Sequence, residues 1–269
     1  MAIVITAHLT LAVRLVDTTT GRELTETDIR FYIGNDMVHP MRKGSGTYIF
    51  VNMSKEDFLM RICARGYDDI DVNVQHETLD PRLPILDVFL MPSEKNMVGG
   101  PILQINGTLS GLEYLEAIDL GHPIGVFQSA VTKKEVTKMT LLPTTQGGGV
   151  ALDSISYAIL SKDQSRYEVF TVKEQDSATS VILRAQMKTE HELNDRIFRI
   201  VYGRAGPKGA FVLKVRDESS VLNYLLHFKA GKFEYLRPID FHLETGEIKL
   251  KEGATKIVAE KEEEEKENE

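Results

Sequence analysis

Residues 13–24 (VRLVDTTTGREL), 44–53 (GSGTYIFVNM) and 58–69 (FLMRICARGYDD) decide the fold. Each is a short apolar run bounded by turn residues, and none carries the spacing of an amphipathic helix. Asp17 and Gly21 suit a tight turn between strands expected at residues 3–16 and 29–33. Gly34-Asn35-Asp36 then reverses the chain, and Lys43-Gly44-Ser45-Gly46 makes a further turn. Ile70, Val72 and Val74 alternate with Asp71 and Asn73, as half-buried strands do. With residues 85–90 as the last strand, seven strands fall within about 90 residues, the spacing of an antiparallel β-sandwich.

The order of Asp-x-x-x-Gly (Asp17, Gly21), Gly-x-Tyr-x-Phe (Gly46, Tyr48, Phe50) and Gly-Tyr (Gly66, Tyr67) resembles the carboxypeptidase regulatory-like, or transthyretin-like, family of β-sandwiches. The resemblance covers the first third of the chain. It implies that the first motif opens a hairpin, the second fills the core and the third ends a strand. These are structural positions without chemistry. Where the family often has Gly-Ala after the first turn, this chain has Thr27-Asp28.

Working outward, the Pro, Gly and polar content of residues 91–101 (MPSEKNMVGGP) reads as a linker. The expected organisation is a sandwich over 1–94, a second β-rich domain over 95–250 and an acidic, disordered tail over 251–269. In the second domain, LSGLEYLEAIDLG (109–121) admits two readings. Leu112, Leu115 and Ile118 recur at helical spacing with Ser110 as N-cap, and a strand with a bulge fits the same residues. Residues 197–202 and 210–215 flank GRAGPKG as a wide hairpin.

The net charge of −8 is half accounted for by the tail, which holds four Lys and eight Glu. The remaining body repels phosphate backbones mildly, which argues against a nucleic-acid partner. No run approaches the roughly 20 apolar residues that span a bilayer, so no membrane partner is expected. The first residues lack a basic leader and cleavage site, and the expected location is cytoplasmic. The single Cys63 lies in an apolar strand pattern and reads as core.

No motif specifies a reaction. The seven His are scattered singly, Glu190-His191-Glu192 lacks the second His of a zinc protease and reads as a polar turn, and Asp68-Asp69-Ile70-Asp71 lacks the Gly and Glu of a calcium loop. Gly147-Gly148-Gly149 and the GPKG turn do not open a helix with Lys-Ser or Lys-Thr, so neither is a phosphate cradle. Asn52-Met53-Ser54 and Asn106-Gly107-Thr108 match the glycosylation triplet by chance. Neither catalytic residues nor a cofactor are expected. Gly147, Gly148, Gly149, Gly206 and Pro207 are candidate contact loops.

The function expected is that of a non-catalytic structural or adaptor protein. It would assemble with other protein subunits or with itself, as in phage-tail-like and other multi-subunit particles. The alternative is a carbohydrate- or small-ligand-binding protein that uses Tyr157, Tyr167, Phe170 or Tyr202, or an enzyme whose second domain brings an acid pair together in space.

Overall fold

Strand β1 (Leu9–Asp17, LTLAVRLVD) is buried from Thr10 onward. Successive side chains of a strand point to opposite faces, so β1 has a packed layer on each side. The computed structural model describes residues 8–24, 28–44, 46–93, 102–128, 137–143, 152–216, 221–242, 247–250 and 255–258. After β1 come β2 (Ile29–Ile33), β3 (Asp36–Val38), β4 (Met41–Lys43), β5 (Thr47–Val51), β6 (Phe58–Ala64) and β7 (Ile70–Val74). A single 3-10 turn, His76–Thr78, then leads to β8 (Ile85–Leu90). They form two four-stranded sheets, β4-β5-β1-β8 and β3-β2-β6-β7. Between them Leu11, Val13 and Leu15 meet Phe31, Phe50 and Met60. The Phe31 ring stands 5.4 Å from Phe50, edge to face.

The sandwich thus has eight strands rather than seven. Gly34 and Asn35 split off β3, and His39-Pro40, which leaves the ladder, carries the chain into β4 of the other sheet. One pair is not antiparallel: β8 runs parallel to β1, with Ala12 opposite Ile85 and Asp17 opposite Leu90. The connection over 75–84 crosses from one sheet to the other, so β8 returns in the direction of β1.

The second half comprises β9 (Leu103–Thr108), β10 (Leu112–Asp119), β11 (Gly125–Phe127), β12 (Lys138–Pro143), β13 (Ser156–Leu160), β14 (Tyr167–Gln175), β15 (Ser180–Leu183) and β16 (Arg196–Tyr202). β17 (Arg204–Ala205), β18 (Ala210–Val215), β19 (Val221–Ala230), β20 (Phe233–His242), β21 (Glu247–Leu250) and β22 (Thr255–Val258) complete it. Apart from the 3-10 turns at His76–Thr78 and Pro207–Gly209, every regular element among the described residues is a strand.

Six of these strands close on themselves in the order β11-β12-β15-β14-β13-β16, and β16 pairs back with β11. All six pairings are antiparallel. A barrel this small has no lumen, and side chains fill it: Phe127, Leu141, Tyr157, Ile159, Phe170 and Ile197 pack together inside. β16 also pairs with β10, which continues the sheet through β19 to β20. One face of this extension carries Ile118, Leu225 and Leu236 toward Phe89 of the sandwich. Its other face packs Leu115 and Tyr224 against Ile105 and Leu213 of the small sheet β17-β18-β9.

The helical reading of residues 109–121 is corrected to the strand reading. β10 bulges between Leu112 and Tyr114, two of its residues opposing one step of β19. The extra residue puts Leu112 and Leu115, three apart, on the same face, which reproduces helical spacing within a strand. The GRAGPKG hairpin is corrected as well. β16 and β18 do not pair; the chain leaves β16 at Gly203, and the two-residue β17 makes the hairpin with β18. A Cβ at Gly203 would stand 2.8 Å from Leu115 Cδ2, so a larger residue there would push the Leu115 side chain aside. In the region expected to be a disordered tail, Thr255–Val258 forms β22 on the edge of β20, where Ile257 and Val258 oppose Glu234 and Phe233. Residues 259–269 lie outside the described residues.

Candidate functional site

The sandwich sits on the second half through the outer face of β4-β5-β1-β8, and two kinds of contact hold it there. Phe89 of β8 lies against Tyr202 of β16, ring centroids 4.3 Å apart. Around that apolar contact the Asp17–Gly21 turn acts as a tenon. Its backbone bonds cross the seam twice, from Tyr202 N to Thr18 O at 2.8 Å and from Ile155 N to Gly21 O at 2.9 Å. Asp17 shapes the turn from inside: Oδ1 accepts Thr19 N at 2.7 Å, Thr19 Oγ1 at 2.6 Å and Thr20 N at 3.2 Å, and Oδ2 accepts the Tyr67 hydroxyl at 2.8 Å. On the far side of the seam, the buried Lys214 donates to Pro92 O at 2.6 Å and to Asp68 at 3.1 Å.

A groove opens along this seam as two adjoining cavities of about 520 and 200 Å³, with Arg14 and Arg184 lining both. Arg14 is nearly buried and grips Asp87 with two bonds, Nε to Oδ1 at 2.6 Å and Nη2 to Oδ2 at 2.7 Å. Burial alone would weaken the guanidinium's hold on its proton, but Asp87 and then Glu23 outweigh it and hold the Arg14 pKa above its ordinary value. Arg22 and Arg199 both pair with Asp153 at the mouth. Arg14, Arg22 and Arg199 are therefore matched by carboxylates, and Arg184 and Lys173 line the groove alongside Glu168 and Glu174. Such a lining has no excess of either sign with which to select a simple anion or cation.

Two further polar constellations lie in the second half. On β10, Glu116 is fully buried, opposite Tyr202 on β16 and His227 on β19. Its Oε1 accepts the Tyr167 hydroxyl and His227 Nδ1, the latter at 2.9 Å, and its Oε2 accepts the Tyr114 hydroxyl. Burial first, and then the negative charge of Glu116, hold both hydroxyls far above the ordinary tyrosine pKa. With three donors on its two oxygens, Glu116 is an anchor that ties β10, β14 and β19 together rather than a free base.

The second constellation clasps the loop between β15 and β16. Glu168 on β14 accepts the amides of Lys188 at 2.6 Å and Thr189 at 2.8 Å. His191 is buried between it and Asp195, with Nδ1 3.1 Å from Asp195 Oδ2 and Nε2 3.4 Å from Glu168 Oε2. The polar turn read at Glu190-His191-Glu192 thus turns a buried imidazole inward and leaves the two glutamates exposed. Burial alone would raise the Glu168 carboxyl pKa, but His191 and the two amides outweigh it and leave it below the ordinary glutamate value.

The sign of the pH effect follows. Glu168's contribution to stability is complete above about pH 4.3, the unfolded value, and is lost as pH falls through its lower folded value. Acid unfolding of wild type and Glu168→Gln checks this. The stability gap between them should be present at pH 7 and narrow as pH falls below the unfolded glutamate value; a gap that stays constant down to acid unfolding would contradict the clasp.

The sequence-derived contact loops fall in different places. Gly206 and Pro207 lead the short turn between β17 and β18, with Pro207 and Lys208 exposed. Gly147, Gly148 and Gly149 lie outside the described residues. The aromatic side chains considered as a sugar platform form none: Tyr157, Phe170 and Tyr202 are buried, and Tyr167 is committed to Glu116. Burial pushes the Tyr157 hydroxyl up to about 12, against the opposing pull of the Ser154 amide that it accepts.

Among the described residues, no group of three His, Cys, Asp or Glu side chains is arranged to hold a metal ion, and no helix is long and apolar enough to cross a membrane. Sequence reasoning had no access to Glu116 or Glu168, because their partners on β14, β19 and the β15–β16 loop lie far away in sequence, whereas Asp195 bonds locally, to His191 and to the Glu192 amide, beside the polar turn. No protein-family model matches the chain, and no curated protein matches it either.

Proposed function

We propose that this chain is a non-catalytic structural or adaptor protein, a rigid two-part β scaffold that assembles with other protein subunits. The observation that carries the reading is the sandwich face turned away from the second half. One face of the sandwich is consumed by the seam; the opposite face, on β3-β2-β6-β7, points outward. There Met37 lies directly opposite Tyr32 and Leu59 lies diagonal to it, with Met37 47 % and Leu59 56 % exposed. Apolar side chains gathered on an outward sheet are the mark of a protein contact. The polar clusters support the same reading, since their carboxylates and cations are spent on each other and on backbone amides. Reading the sandwich as a carboxypeptidase regulatory-like module, commonly a display element, agrees with this, and the Asp17 to Tyr67 bond joins two of the motifs that carry the resemblance.

Leu59→Asp tests the proposal. The side chain is exposed, so thermal unfolding should stay within about 0.5 kcal/mol of wild type, whereas the native complex in lysate of the source cell should shrink or dissociate. Charge reversal at Lys208, on the exposed β17–β18 turn, serves as a second probe. A complex unchanged in size by both substitutions would overturn the reading.

A further inference from the structure

We propose that the free edge of the sandwich is a homodimer interface, in which β7 pairs antiparallel with β7 of a second copy across a twofold axis at Val72. This rests on the assembly reading above and names its partner. The two edges of the sandwich differ in a way that bears on pairing. At one edge β3 and β4 are three residues each, separated by Pro40, and β4 ends in Arg42-Lys43. Short strands, proline and edge cations are devices that block strand addition. At the other edge β7 runs five residues, Ile70-Asp71-Val72-Asn73-Val74, with no Pro, Lys, Arg or bulge. Among the described residues only β6 pairs with it.

The sequence of β7 is symmetric by class about Val72, which is what a twofold, self-complementary contact requires. Pairing centred there sets Ile70 against Val74 of the second copy, and Val72 against its own counterpart. Ile70 and Val72 are only half-buried in one chain, and pairing would cover them and extend the apolar core row. On the outer face the same register sets Asp71 against Asn73 of the second copy and keeps the two Asp71 carboxylates apart. Each Asp71 is meanwhile held by Arg61 of its own chain, Nε to Oδ1 at 2.8 Å. A register centred on Asp71 would place the two carboxylates face to face, a destabilising arrangement.

The test uses the purified full-length chain, by light scattering across a concentration series, with two substitutions at the exposed Asn73. The wild type should reach twice the 30.2 kDa chain mass. Asn73→Asp sets carboxylate against carboxylate at both symmetric pairs and should weaken the dimer about threefold or more, while Asn73→Lys meets Asp71 and should not weaken it. Register is read by disulfide formation on a Cys63→Ser background. Asp71→Cys and Asn73→Cys chains should cross-link when mixed and not when either is alone.

A monomer at all concentrations, equal affinity for Asn73→Asp and wild type, or cross-linking that ignores the mixing rule would overturn the twofold pairing. If the isolated chain is a monomer but Leu59→Asp still disrupts the native complex, the assembly reading stands and the second copy alone is excluded. If Leu59→Asp is also silent, both fall.

Discussion

Glu116→Ala is expected to destabilise the protein by about 3–5 kcal/mol, the range for breaking a buried charge network by removing one member. For a chain of this size that corresponds to a fall in Tm on the order of 10 °C. The substitution removes the sole acceptor shown for the Tyr114 and Tyr167 hydroxyls and for His227 Nδ1, three donors from three strands, and leaves Tyr167 and His227 facing a void, while Tyr114 is partly exposed. Most of the cost is the desolvation of donors left unpaired rather than the loss of the bonds themselves. Glu116→Gln should fall between, because it keeps the volume but turns one oxygen into an amide donor that faces another donor. Tyr114→Phe should cost only about 1 kcal/mol, since it removes donor and bond together. Thermal and urea unfolding of the four proteins would give this order. Equal stability of wild type and Glu116→Ala would show that the network is not formed.

Asp17→Ala is expected to cost about 3 kcal/mol, from one buried carboxylate with four donors. Its second effect distinguishes a seam lock from a local turn. The Asp17–Gly21 turn needs Gly21 in the left-handed region, φ +67, and a Cβ there would come within 3.2 Å of Ser154 Cβ. Once Asp17 no longer holds the turn, the amides of Ile155 and Tyr202, which bond to Gly21 O and Thr18 O, should exchange hydrogen faster. These amides belong to the second half of the chain, far in sequence from the substitution. Faster exchange confined to residues 17–24 would mean that the turn does not join the two halves.

The same turn shows how far the sequence could be read. Asp17, Gly21 and Tyr67 were visible as motif residues, and the alternation of Ile70, Val72 and Val74 gave β7 directly, because a strand with one buried face writes its period into the chain. That Asp17 and Tyr67 bond to each other, and that the turn they hold is the joint between the two halves, is written nowhere in local order. Barrel closure is equally silent. It depends on β11 pairing with β16 across about 70 residues, and only two residue pairs make that ladder. At β10 the local signal pointed to a helix as readily as to a strand, because the bulge at Leu112 and Tyr114 shifts the phase of the apolar residues. Glu116 lies within that stretch, so its register opposite His227 could not be read until the strand was placed.

The central proposal is that a scaffold whose main polar clusters, around Glu116, Glu168 and Arg14, are paired within the chain works through its outward sandwich surface as one part of a larger assembly. Its most direct test is the native mass of the protein in gently fractionated lysate of the source cell, with co-eluting proteins identified by mass spectrometry. Elution well above 30.2 kDa together with defined protein subunits, lost with Leu59→Asp, is the expected result. Elution alone at the mass of a single chain would contradict it.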